Sequence, residues 1–190
     1  MKYWSLILCA MPALLWGDRF TMQVRGGFFY PASSEASNIY KKGGSEYETE
    51  SSVRLYNHLN FWVNFNYFQR HGFSRGRHDP TSIHLYPLSG GLKYAVPVDD
   101  DVSVYIGVGP SYTWANIHDE APDLKRHIHR REWGAVSKLG LTYFFVRHFF
   151  LDVYADYYYT RISGVHESGA LTHSVDVGGL RAGLGVGASF

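Results

Sequence analysis

Histidine is the residue type with the widest chemical reach in this chain. There are ten, and His71, His78, His84, His118, His127, His129, His166 and His173 fall in or beside polar, loop-like stretches. His127-Ile128-His129 has the most suggestive spacing. On an extended strand it sets two imidazoles on one face, an arrangement that can chelate zinc or copper. The same residues also suit a hydrated interface that ligates nothing, so the spacing alone assigns no metal and no cofactor. They lie within Lys125-Arg126-His127-Ile128-His129-Arg130-Arg131, the densest basic cluster in the sequence. Such a cluster is a candidate contact for anionic lipopolysaccharide or an acidic host glycan; its plain alternative is a solvated loop base. His166-Glu167-Ser168 places a base beside a hydroxyl. Nucleophilic catalysis needs that base within hydrogen-bond reach and an acid to orient it. Spacing supplies neither, so no residue is assigned as catalytic and an enzyme is not expected.

Composition narrows the classes further. Lys and Arg total 18 against 17 Asp and Glu, a near balance that argues against broad electrostatic binding of nucleic acid. Cys9 is the single cysteine, which excludes an internal disulfide and any CxxC site. No uninterrupted apolar run reaches the roughly 18 residues of a spanning helix, so a helical membrane protein is excluded. Residues 1–17 stand apart: Lys2 gives a positive start, and Leu6 to Trp16 is apolar apart from Pro12. That pattern reads as a secretory signal peptide, with residues 18–190 as one mature domain. Leu15 is unusual where a small residue commonly precedes cleavage at Gly17. Cleavage there would remove Cys9 and Lys2 together, leaving a chain that is formally neutral.

The elements that must position these residues are strands. Leu180, Ala182, Leu184, Val186, Ala188 and Phe190 alternate with Gly and polar residues, as do Leu151 to Tyr159 and Val102 to Trp114. Period-two stretches also occupy about 19–31, 45–57, 60–70, 81–96 and 131–146, which makes eight strands. Their connections alternate strictly in length. Short ones lie at Asn57 to Asn60, Pro97 to Asp101 and Val146 to His148; long polar ones lie near 32–44, 71–80, 118–130 and 163–173. An up-and-down meander with all its short turns at one end has the asymmetry of a transmembrane β-barrel. An even strand count returns both chain ends to the short-turn side.

A soluble barrel such as a lipocalin shares the period, so the two faces must be distinguished. One face is continuously apolar over the nine to eleven residues that a tilted strand needs to cross a bilayer. The other carries glycine and the charges Arg25, Glu48, Glu50, Arg54, Lys93, Lys138, Asp152, Asp156 and Arg181. An eight-stranded barrel leaves room only for filling side chains, so the charged, Gly-rich face belongs inside. Measured from the short-turn end, Asp156 falls at the height of Lys138 and Arg181 on the flanking strands, and Glu50 faces Arg25. The interior should therefore be a charge-paired plug. Aromatics gather at two levels: Phe20, Phe61, Phe145, Phe149 and Phe190 near the short turns, and Tyr30, Tyr67, Tyr112, Trp114, Trp133, Tyr157 and Tyr159 near the long loops. Such girdles mark the two membrane interfaces.

The final strand ending in Phe190, the opening Val24-Arg25-Gly26-Gly27-Phe28-Phe29-Tyr30-Pro31, and Phe150 to Tyr159 resemble the eight-stranded outer-membrane barrels of Gram-negative bacteria, the OmpA-type and opacity-protein-type group. The resemblance implies an all-β, antiparallel, up-and-down transmembrane β-barrel in the bacterial outer membrane. It also implies that Phe190 is the signal read by the outer-membrane assembly machinery, although Ala188 departs from the aromatic usual two residues before the end. The implied partners are outer-membrane lipid, lipopolysaccharide and that machinery, with a host-surface ligand as a further candidate, no nucleic acid, and a monomeric state. The expected role is structural or surface-interacting through the extracellular loops. A narrow pore for small polar solutes is the alternative. A membrane-embedded hydrolase like the lipid A deacylases stands third, because His166 and Ser168 lie in a loop and not on a lipid-facing strand.

Overall fold

In a computed structural model the described residues are 20–32, 44–73, 80–121, 124–165, 173–176 and 178–190. The strands are β1 (Phe20–Pro31), β2 (Gly44–Tyr56), β3 (Leu59–Phe73), β4 (Pro80–Pro97), β5 (Val102–Ala121), β6 (Leu124–Val146), β7 (Phe149–Val165), β8 (His173–Asp176) and β9 (Gly179–Ser189). Each pairs antiparallel with its neighbour. The added β6–β7 pairing and the β1–β9 ladder close eight of them into a barrel. The remaining strand, β8, is four residues long and pairs only with the outer end of β7. Closure satisfies every ladder and leaves no open edge at bilayer depth, where an unpaired backbone group costs several kcal/mol.

The short turns fall where the alternation places them. Asn57 adopts a positive φ of 42° in the β2–β3 turn, a conformation that asparagine tolerates and hairpin turns require. The last seam is tied at the same end. The Phe20 N–H donates to the Phe190 carbonyl at 3.1 Å, and the Phe190 N–H returns the bond at 2.8 Å.

Three expected connections differ. Residues 118–130 do not form a long loop: β5 continues to Ala121 and β6 begins at Leu124, in unbroken register. Hydrophobic alternation reports burial rather than strand conformation, so a ribbon of mostly polar and charged residues hides from it. Likewise β3 extends to Phe73 and β7 to Val165, into the second and fourth expected loops, and β8 begins at His173, where the fourth was expected to end. Residues 33–43 and 74–79, most of two expected loops, lie outside the described residues, as does the expected signal segment 1–17.

The outward face is apolar over most of the barrel, with β2, where Ser45, Thr49 and Ser51 face out, as an exception. Ile106, Leu139 and Leu184 are 60%, 57% and 66% exposed, which a water-soluble barrel would not tolerate on its exterior across most of its strands. The outer aromatic level is contiguous in part: Tyr112 lies 4.9 Å from Trp114 and 5.0 Å from Trp133 between ring centroids.

Candidate functional site

The inward positions hold a single connected polar cluster. Arg25, Glu48, Glu50, Lys93, Lys138, Asp152, Asp156 and Arg181 are all buried inside the barrel, as the period requires. Glu46 joins them at 1% exposure. It shares the parity of Glu48 and Glu50, so the same period contains its signal. Arg54 does not belong. It has the inward parity, but at the short-turn end of β2 it is exposed and lines the mouth with Asp100, Asp101, Arg147 and His148. Among the described residues, the buried charges are thus four cations and five carboxylates.

Arg25 occupies the centre. Its Nη1 lies 3.0 Å from Glu48 Oε1, 3.2 Å from Glu50 Oε2 and 3.6 Å from Asp156 Oδ2, while its Nε lies 2.9 Å from Asp152 Oδ2. Its Nη2 donates to the Tyr105 hydroxyl at 2.9 Å, and that hydroxyl donates in turn to Asp152 at 3.2 Å. The Lys138 Nζ lies 2.9 Å from Glu48, 2.5 Å from Glu50 and 3.3 Å from Asp156, with the Trp62 ring beneath it at 4.6 Å. Lys93 reaches Glu50 at 2.7 Å. Neutral donors complete the acceptor shells: Gln23 donates to Glu50 and Asn66 to Glu48, both at 2.9 Å.

Asp156 does stand between Lys138 and Arg181 in register. The Arg181 guanidinium, however, turns toward Glu46 at 3.1 Å and Glu48 at 3.7 Å, and stacks over Tyr158 at 4.2 Å. The second cation near Asp156 is therefore Arg25, reaching across the lumen. Tyr105, Tyr154, Tyr158 and Trp62 add bulk that charge counting overlooks. Glycine on the facing strand makes room for one of them: a Cβ at Gly140 would collide with the Tyr105 ring. Above the charges, Tyr158 bonds to Ser111 and, at 2.9 Å, to Thr113. Phe29, Phe68 and Leu85 are buried over that layer and help to line a cavity floored by Glu46 and Arg181.

Fixed charges packed against counter-charges are poor binding groups for a passing ion, because most of their interaction is already taken up by neighbours. The arrangement is suited to filling the lumen. Phe190 lies at the seam with its side chain 45% exposed on the outside, the place of an interfacial aromatic. The basic run sits on β6 rather than in a loop. The register sets Lys125 opposite Glu120 and Arg126 opposite Asp119, while Arg130 and Arg131 face Ala115 and Trp114. His166 and Ser168 lie outside the described residues.

The sequence matches the outer membrane protein beta-barrel domain family over residues 5–190. No curated protein matches it. Among solved structures it is similar to the outer membrane protein OprG from Pseudomonas aeruginosa, with 17% identity, a TM-score of 0.65, and 92% of this chain and 97% of that one covered. It is also similar to neisserial surface protein A, NspA, at 16% identity and a TM-score of 0.62, covering 90% and 97%. A third is Ail, the attachment invasion locus protein of Yersinia pestis, in complex with the heparin analogue sucrose octasulfate. There identity is 13% and the TM-score 0.53, with 89% and 96% covered. At these identities the likeness is one of fold.

Proposed function

Because the chain belongs to the outer membrane protein beta-barrel domain family, and is thus a bacterial outer-membrane protein, we propose that it is a closed barrel whose work is adhesion-like contact at the cell surface. The observation that carries this reading is the lumen. Arg25 lies within 3.6 Å of four carboxylates contributed by two strands, with no solvent exposure of its side chain. A barrel filled in this way has its outer strands and loops left as the part that meets other molecules. The basic run Lys125 to Arg131 gives that part a preference for anions, and the heparin analogue bound by Ail is a ligand of that charge. Sulfated or phosphorylated glycan is therefore the ligand class for this chain.

The test has two arms. The refolded protein in planar bilayers should be silent or open only rarely. Cells displaying it should be retained on immobilised heparin, and replacing Arg130 and Arg131 with glutamate should abolish retention while folded yield stays the same. Retention that ignores these substitutions would remove the surface reading. The second reading is a narrow pore for small polar solutes, favoured by the open polar vestibule at the short-turn mouth between Arg54, Asp101 and Arg147. Steady large openings of the wild-type barrel would promote it.

A further inference from the structure

Among the described residues the buried plug is one positive charge short. Arg25, Lys93, Lys138 and Arg181 stand against Glu46, Glu48, Glu50, Asp152 and Asp156. A charge taken out of water without a partner is costly, so where the shortfall falls matters. Glu48 and Glu50 each lie near three cations, and Asp156 near two. Asp152 has Arg25 at 2.9 Å and the hydroxyls of Tyr105 and Thr142. Glu46 has Arg181 alone, at 3.1 Å, and shares it with Glu48. Its other oxygen, Oε1, receives only the Tyr154 hydroxyl at 3.5 Å, the outer limit of a hydrogen bond.

Glu46 is also the carboxylate that floors the cavity above the plug. Thr160 lines the same cavity at 2% exposure, and its hydroxyl has no hydrogen-bond partner. The walls are apolar and aromatic: Leu85, and Phe29 against Phe68 with ring centroids 5.3 Å apart, edge to face. The free interior is about 20 Å³, room for a single water-sized body. A carboxylate oxygen with spare capacity, an unpartnered hydroxyl and aromatic walls together favour a cation. Few oxygens replace its hydration shell, so the ion must shed water readily. K+ and ammonium have that property and are about the size of a water molecule. Mg2+ dehydrates reluctantly and carries one charge more than the plug lacks.

We propose that the cavity between Glu46 and Thr160 binds one weakly hydrated monovalent cation, of the K+ or ammonium kind. The ion supplies the charge missing from the plug and caps it on the outer side. The site lies inside the barrel and is independent of the glycan reading.

The experiment uses the full chain refolded in phosphatidylcholine vesicles, with folding checked by heat-modifiable migration on a gel. Urea unfolding is followed at fixed ionic strength, so that screening is constant, in the chlorides of K+, ammonium, Li+ and N-methylglucamine. K+ and ammonium should each raise the urea midpoint saturably above N-methylglucamine, as a ligand of the native state does, and the larger shift identifies the preferred ion. Li+ should not. Glu46→Gln should abolish the shift, and Thr160→Val should move its saturation to higher concentration. Asp101→Asn, in the exposed mouth at the other end of the barrel, should keep the whole shift. Isotope-labelled ammonium should also give a bound resonance that K+ displaces and Li+ does not, a readout that stands even if Glu46→Gln fails to fold. Equal midpoints in every salt, or no bound resonance, overturn the proposal and leave the cavity to water. So does a shift that Li+ reproduces, that survives in folded Glu46→Gln, or that Asp101→Asn removes.

Discussion

Lys138 and Asp156 stand directly opposite each other on β6 and β7, with Nζ 3.3 Å from Oδ2 and neither side chain exposed. Asp156 has no hydrogen-bonding partner beyond its ion pairs, yet its carboxylate lies between Lys138 and Arg25. Removing it leaves both cations buried with one anion fewer. Breaking a buried pair by deleting one partner costs about 3–5 kcal/mol, and because Lys138 and Arg25 both keep Glu48 and Glu50 the loss falls toward the lower end of that range. Asp156→Ala should therefore unfold at lower denaturant and raise the leak of refolded barrels in planar bilayers. Asp156→Ala with wild-type stability and wild-type silence would show that the plug does not depend on this pair.

Much of that cluster is legible in the sequence, and the misses have physical reasons. A period of two assigns side chains to faces, so Arg25, Glu48, Lys138 and Asp156 are placed correctly without coordinates. Parity does not say where along the strand the lumen ends. Arg54 consequently falls in the open mouth although its parity is inward. Glu46 is available to the same reading, three residues into the strand on the same face. The partner of Arg181 is not. Register makes it the neighbour of Asp156, but a long guanidinium side chain crosses the lumen to the Glu46 carboxylate on β2. The outer β5–β6 ribbon is illegible for another reason: residues 118–130 are mostly polar or charged, and the period that reveals strands is one of apolar residues.

The seam between the first and last strands predicts the consequence of losing the last residue. Phe190 exchanges two backbone hydrogen bonds with Phe20, and the adjacent Ser189 N–H donates to the His148 carbonyl at 2.8 Å. Deleting Phe190 removes the bonds that finish closure and an interfacial aromatic. The truncated protein should accumulate unfolded in the periplasm or be degraded. Fractionation and heat-modifiable migration measure this, and a normal outer-membrane yield would contradict it.

Orientation follows from the alternation of turns. Single cysteines at Ser37, Gly76, Asp123 and Ser168 should react with an impermeant maleimide on intact cells, because these positions lie in the connections between outer strand ends. Cysteines at His58, Asp100 and Arg147, in the two-to-four-residue turns at the other end, should stay unlabelled until the outer membrane is breached. The reverse pattern would invert the barrel.

Tyr105 separates the hydrogen-bonded part of the plug from its filling part. Its hydroxyl accepts from Arg25 and donates to Asp152, and its ring sits in the space that Gly140 leaves. Tyr105→Phe deletes two hydrogen bonds to charged groups while keeping nearly all of the volume. Hydrogen bonds to charged groups contribute about 1.5–3 kcal/mol each. Arg25 retains its carboxylates and Asp152 retains Arg25, so the loss should stay near the lower end of that range and below the cost of Asp156→Ala. Conductance should remain at the wild-type level, because the ring still occupies the lumen. Gly140→Leu should do the opposite: it displaces the ring, disturbs both hydrogen bonds at once, and destabilises more than Tyr105→Phe. Urea unfolding in lipid vesicles ranks the three variants, and bilayer recording separates lost bonding from lost filling. If Tyr105→Phe leaks as much as Asp156→Ala, closure depends on the hydrogen bonds themselves and not on packed volume.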